Sequence, residues 1–112
     1  MKDFMFIFRN KTDRPQPTAE EMQNIMQLWM GWIDKLKQKN VYTAGEPLTH
    51  SGKVVKGNEA TVIDGPFAES KEIVGGYFLI KANSFEEAAE LAKDCPDLSH
   101  GGSVEVREIM KM

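Results

Sequence analysis

Ile73-Val74-Gly75-Gly76-Tyr77-Phe78-Leu79-Ile80-Lys81-Ala82 is the stretch on which the fold turns. It is a run of β-branched and aromatic residues, which predicts a strand. Ile73, Tyr77 and Leu79 point one way and Val74, Phe78 and Ile80 the other, so the strand is apolar on both faces. Two adjacent glycines inside it point to a bulge or a close approach by another group. The N-terminus repeats the pattern: Phe4, Phe6 and Phe8 oppose Met5 and Ile7, which predicts a strand over residues 2–9 before a loop over 10–17.

Two helices are predicted around these strands. Thr18 opens the first, with Glu21 at capping-box spacing. Met22, Ile25, Met26, Trp29, Trp32, Ile33 and Leu36 then recur at steps of three and four and form one apolar face. Lys35, Lys37 and Lys39 crowd its last turn, where cations complement the helix dipole. Ser84 caps the second helix, with Glu87 at the matching position and Asp94-Cys95-Pro96 closing it. Val41 to His50 is extended, and Val54-Val55 with Ala60 to Ile63 forms a hairpin turning at Gly57-Asn58. Residues 64–72 make a polar loop, and Val104 to Ile109 is the last strand. With the hairpin as an elaboration, the fold class is α+β, a ferredoxin-like βαββαβ unit in one domain over residues 1–112.

Composition narrows the function classes. Of 112 residues, 41% are hydrophobic and 28% charged, which excludes wholesale disorder. A formal net charge of −3, with no long Lys/Arg cluster, argues against a direct nucleic-acid partner. Cys95 is the only cysteine, which fits a reducing compartment. The first apolar run stops at Arg9, too short for a signal-peptide core, and no stretch reaches the eighteen or so apolar residues of a membrane span. The expectation is a cytoplasmic protein with no membrane partner.

Two helices cover only one face of a four-stranded sheet. The second face, also apolar, would expose a patch larger than soluble monomers carry, so a homodimer packed sheet to sheet is expected.

Asp64-Gly65-Pro66-Phe67, then Glu69, Lys71-Glu72 and Gly75-Gly76, resemble the signature of the DGPF group of YCII-related proteins. Met30-Gly31-Trp32 and Val104-Glu105-Val106-Arg107 extend the resemblance over nearly the whole chain. It implies a dimeric α+β barrel. Related YCII proteins have a proposed His–Asp pair, with the histidine on the first helix and the aspartate just before a proline after the second. Here the first helix holds no histidine and Cys95 precedes Pro96, so the pair does not carry over. Some relatives of the group carry transcription-related labels, but nothing in this acidic sequence supports direct DNA contact.

Asp64 is the candidate catalytic residue: a general base in a pocket between sheet and first helix, or else a turn former bonding local backbone N–H groups. Trp29, Trp32, Phe67, Glu69, Lys71 and His100 are candidates to contact a ligand; the two tryptophans share a helical face and are equally suited to the core. His50, His100, Asp64 and Glu69 lack metal-motif spacing, so neither metal nor cofactor is expected. Cys95 sits at a helix end where no dipole stabilises a thiolate. The leading function is binding of a small molecule in a cavity between sheet and helices. The alternatives are a lyase, isomerase or hydrolase using Asp64, and a regulatory or interaction module without catalysis.

Overall fold

The computed structural model of the chain describes residues 1–65 and 72–112. Strand β1 (Lys2–Lys11) leads to helix α1 (Ala19–Gln38) and strand β2 (Tyr42–Pro47). Strands β3 (Gly52–Lys56) and β4 (Thr61–Gly65) follow, then β5 (Glu72–Ala82) and helix α2 (Phe85–Ala92). A 3-10 turn (Pro96–His100) precedes β6 (Ser103–Glu108). The four long-range strands form an antiparallel sheet in the order β2-β5-β1-β6, and β3 with β4 makes a separate two-stranded sheet.

Both helices start as their sequences dictate. Thr18 Oγ1 accepts the Glu21 backbone N–H at 3.1 Å, and Ser84 Oγ accepts that of Glu87 at 3.1 Å. Each cap satisfies an N–H that the helix cannot pair internally. The helices pack on one face of the sheet, against Phe4, Phe6 and Phe8 of β1 and Phe78, Ile80 and Ala82 of β5, which are all buried. Phe6 stacks on Trp32 of α1, and Phe4 meets Phe85 of α2 edge-on.

The opposite face carries Met5, Ile7, Tyr77 and Leu79, paired in register as Met5–Leu79 and Ile7–Tyr77 and all half-buried. Ion pairs ring them: Lys81–Asp3 at 2.9 Å, and Glu105 held by Arg9 and Arg107, each at 3.2 Å. The described residues span only 19 Å in their thin direction, which is one sheet plus one helix layer.

The α+β class holds, but the expected dimeric α+β barrel does not form. Closure needs the first and last strands of a sheet to bond each other. Here β2 and β6 lie at opposite edges, separated by β5 and β1, and the β3–β4 hairpin bonds to itself rather than extending either edge. The sheet is open. Of the polar loop expected over 64–72, Asp64 and Gly65 instead continue β4 and Glu72 begins β5, and the rest lies outside the described residues. No helix among the described residues is long and apolar enough to cross a membrane.

Candidate functional site

Helix α1 does not lie flat on the sheet along its whole apolar stripe. Trp32 and Leu36 are buried, Ile25, Trp29 and Ile33 are half-buried, and Met22, Met26 and Met30 are exposed. The strands beneath explain the gap. The β1–β5 register slips by one residue at Phe8/Arg9, leaving Gly75 bulged out of the pairing. Neither Gly75 nor Gly76 carries a side chain to fill the space. A Cβ at Gly76 would lie 2.8 Å from the Glu46 carbonyl oxygen and 3.2 Å from Pro47 Cα, and one at Gly45 would overlap the Phe78 ring. Glycine here lets β2 approach β5 closely while it floors a cavity of about 500 Å³.

The α1 side chains Ile25, Met26, Trp29, Met30 and Ile33 roof that cavity, Phe8, Tyr42 and Phe78 wall it, and Asn10, Glu46 and Asp97 are its polar lining. The rings meet edge to face: Phe8–Trp29 at 4.9 Å and 86°, Phe8–Phe78 at 4.9 Å and 84°, Trp29–Phe78 at 5.7 Å and 85°, Tyr42–Phe78 at 5.2 Å and 83°. This arrangement sets the positive edge of one ring against the negative face of the next, and each pair adds about 0.5–1.5 kcal/mol beyond its buried area. Partial burial pushes the Tyr42 phenol above its ordinary value, with the Glu46 and Tyr77 charges acting in the same direction. A volume of this size, mostly apolar with a few polar groups, is the form a small-molecule site takes.

The structure divides the residues expected from sequence. Trp29 lines the cavity. Trp32 stands behind it in the core, with an indole N–H that has no hydrogen-bond partner among the described residues. Asp64 is outside the cavity. It sits on β4 with its side chain 86% exposed and forms an ion pair with Lys53, its register partner on β3. His100 closes the 3-10 turn, exposed, its Nδ1 3.0 Å from Ser99 Oγ. Phe67, Glu69 and Lys71 lie outside the described residues. Cys95 is buried, which pushes its thiol up to about 11. Among the described residues no three His, Cys, Asp or Glu side chains gather as a metal site would need.

Sequence reasoning did not single out Phe8, Tyr42, Phe78, Asn10, Glu46 or Asp97 as cavity residues. The signal that pointed nearest was the Gly75-Gly76 pair.

A family model described as the YCII-related domain matches residues 5–112. An uncharacterized protein of Rhizobium meliloti (strain 1021) is 41% identical over 68 residues, which is 60% of this chain and 51% of that protein. The match thus spans about half the length of that curated relative. Among solved structures, a 5-chloro-2-hydroxyhydroquinone dehydrochlorinase from Burkholderia phenoliruptrix AC1100, in complex with 2,5-dihydroxybenzoquinone, superposes with a TM-score of 0.50 at 17% identity, covering 96% of this chain and 95% of that one. At that identity the likeness is one of fold.

Proposed function

The chain belongs to the YCII-related domain family, and from that premise we propose that residues 1–112 form one such domain, which binds a small ring-bearing molecule in the cavity beneath α1. The observation that carries this is the aromatic wall of Phe8, Trp29, Tyr42 and Phe78 around about 500 Å³ of mostly apolar space. A planar ring entering it exchanges water for aromatic surface, while Asn10 and the Tyr42 hydroxyl supply orienting hydrogen bonds. The structural relative's name and title concern hydroxylated ring compounds, which supports a ring as the ligand's body. Of the residues expected from sequence to touch a ligand, Trp29 is the one this site uses. The free, buried Cys95 suits a reducing, cytoplasmic setting.

The test is calorimetric titration with phenol as a minimal ring probe. Seven heavy atoms at typical ligand efficiencies give a Kd on the order of millimolar. Ile25→Trp, which fills the cavity from its roof, abolishes that binding if the site is correct. Phenol binding equally well to Ile25→Trp removes the cavity from consideration.

The working unit is a homodimer built on the uncovered sheet face. Met5, Ile7, Tyr77 and Leu79 form an apolar centre there, and the surrounding ion pairs carry both signs, as a self-complementary two-fold contact needs. Light scattering is expected to return twice 12.6 kDa, and Leu79→Asp to return 12.6 kDa. A wild-type mass of 12.6 kDa at micromolar concentration refutes the dimer.

A further inference from the structure

We propose that the cavity beneath α1 selects an organic cation, a protonated or quaternary amine carried on a compact apolar body. This rests on the ligand-binding reading above and adds the ligand's charge. Two features of the lining point to it together.

The first is the sign of its charges. Glu46 and Asp97 are both acids, and among the described residues no Lys, Arg or His lines the cavity. Glu46 is exposed and Asp97 half-buried, so both carboxylates stand at the rim of the apolar space. An anionic ligand would meet two like charges in the lining, and a cation gains from both.

The second is the arrangement of the rings. Phe8, Trp29 and Tyr42 each stand within a few degrees of perpendicular to Phe78, so the ring planes around the cavity run in more than one direction. Ring faces are electron-rich and attract a cation within about 6 Å of the centroid. Tyr42 already does this within the chain: Lys37 Nζ lies over its ring at 5.6 Å, from outside the cavity lining. Glu46 lines the same cavity as Tyr42, which puts a carboxylate on an aromatic-walled site. Aromatic faces with a nearby carboxylate are the chemistry that recognises an alkylammonium group. Arg14 donates to Asn10 Oδ1 at 3.1 Å from outside the lining.

The experiment is calorimetric titration of the full chain with choline and with its neutral isostere 3,3-dimethylbutan-1-ol, beside phenol. Choline is expected to bind about tenfold tighter than the isostere, a difference of about 1.4 kcal/mol. Glu46→Gln and Asp97→Asn are each expected to weaken choline several-fold and leave the isostere unchanged. Both side chains lie outside the buried core, so thermal unfolding of the variants serves as the folding control. Isostere binding as tight as choline, or choline failing to saturate at roughly 10 mM, overturns the proposal. If phenol still binds and Ile25→Trp blocks it, the cavity remains a ring site without charge selection. If Ile25→Trp leaves phenol binding intact, the cavity itself is not the site.

Discussion

Adding one methyl group at Gly76 tests the packing of the cavity floor. In Gly76→Ala the new Cβ stands 2.8 Å from the Glu46 carbonyl oxygen, 3.2 Å from Pro47 Cα and 3.6 Å from the Glu46 carbonyl carbon. All three are backbone atoms, so no flexible side chain can swing away. Strand β2 must instead move off β5, the one strand to which it is bonded in the sheet. Overpacking of this kind costs about 1–3 kcal/mol. For a domain near this length each kcal/mol lowers Tm by about 4 °C or somewhat more, so a fall of roughly 4–12 °C is expected. Gly31→Ala is the control. It lies on the exposed side of α1, where an added Cβ meets nothing within 4 Å. There alanine relieves the helix-interior penalty and is expected to stabilise by about 1 kcal/mol. Urea and thermal unfolding of both variants beside wild type measure the pair. Gly76→Ala within about 0.5 kcal/mol of wild type would refute the close approach of β2.

The Asp64–Lys53 pair is exposed on both sides, so Asp64→Ala is expected to cost less than about 1 kcal/mol by urea unfolding; loss of phenol binding in a fully folded Asp64→Ala would return Asp64 to the ligand site. Glu105 is held below the ordinary glutamate range, first by the hydrogen bond from Arg107 and then by that from Arg9. A lowered folded value means its contribution is complete above the unfolded value, about 4.3, and lost as pH falls through the folded one. Carboxyl NMR is expected to show Glu105 titrating below the other glutamates, moving back up in Arg107→Ala. Cys95, buried and with its thiol near 11, is expected to react with an aromatic disulfide reagent at pH 8 only on unfolding; fast labelling of the native protein would contradict its burial.

Local signals in the chain translated directly into structure. Thr18 with Glu21 and Ser84 with Glu87 are three residues apart, and the hydrogen bonds they form need no information from elsewhere. The two-faced apolar pattern of β1 and β5 likewise reads as central strands, since alternation of side chains is a property of the strand itself. The apolar stripe of α1 was legible, but not which half of it would be buried. That depends on what the sheet offers beneath, and Gly45 and Gly75 offer nothing there. The cavity was hidden for the same reason. It is made of absent side chains on β2 and β5, brought together from about thirty positions apart by sheet pairing. Asp64 was expected in a loop because Asp-Gly-Pro is a turn sequence. The hairpin register, set by the turn at residues 57–60, instead carries Asp64 into β4 opposite Lys53. Closure of the sheet into a barrel came from resemblance alone, and the strand order overrules it.

An open sheet has two outer margins where a stray strand from another molecule could be templated, the first step toward fibrous aggregates. Each margin here carries a different deterrent. On β2 the pairing skips Thr43, kinking the backbone, and Pro47 ends the strand with a residue that has no N–H to offer. On β6 the sequence Ser-Val-Glu-Val-Arg-Glu sets charged side chains along the rim, and an incoming strand would have to strip their water. Tyr42, beside that kink, and Pro47 also line the cavity beneath α1. Straightening β2 to tidy that pocket would therefore trade a better-shaped wall for a stickier protein.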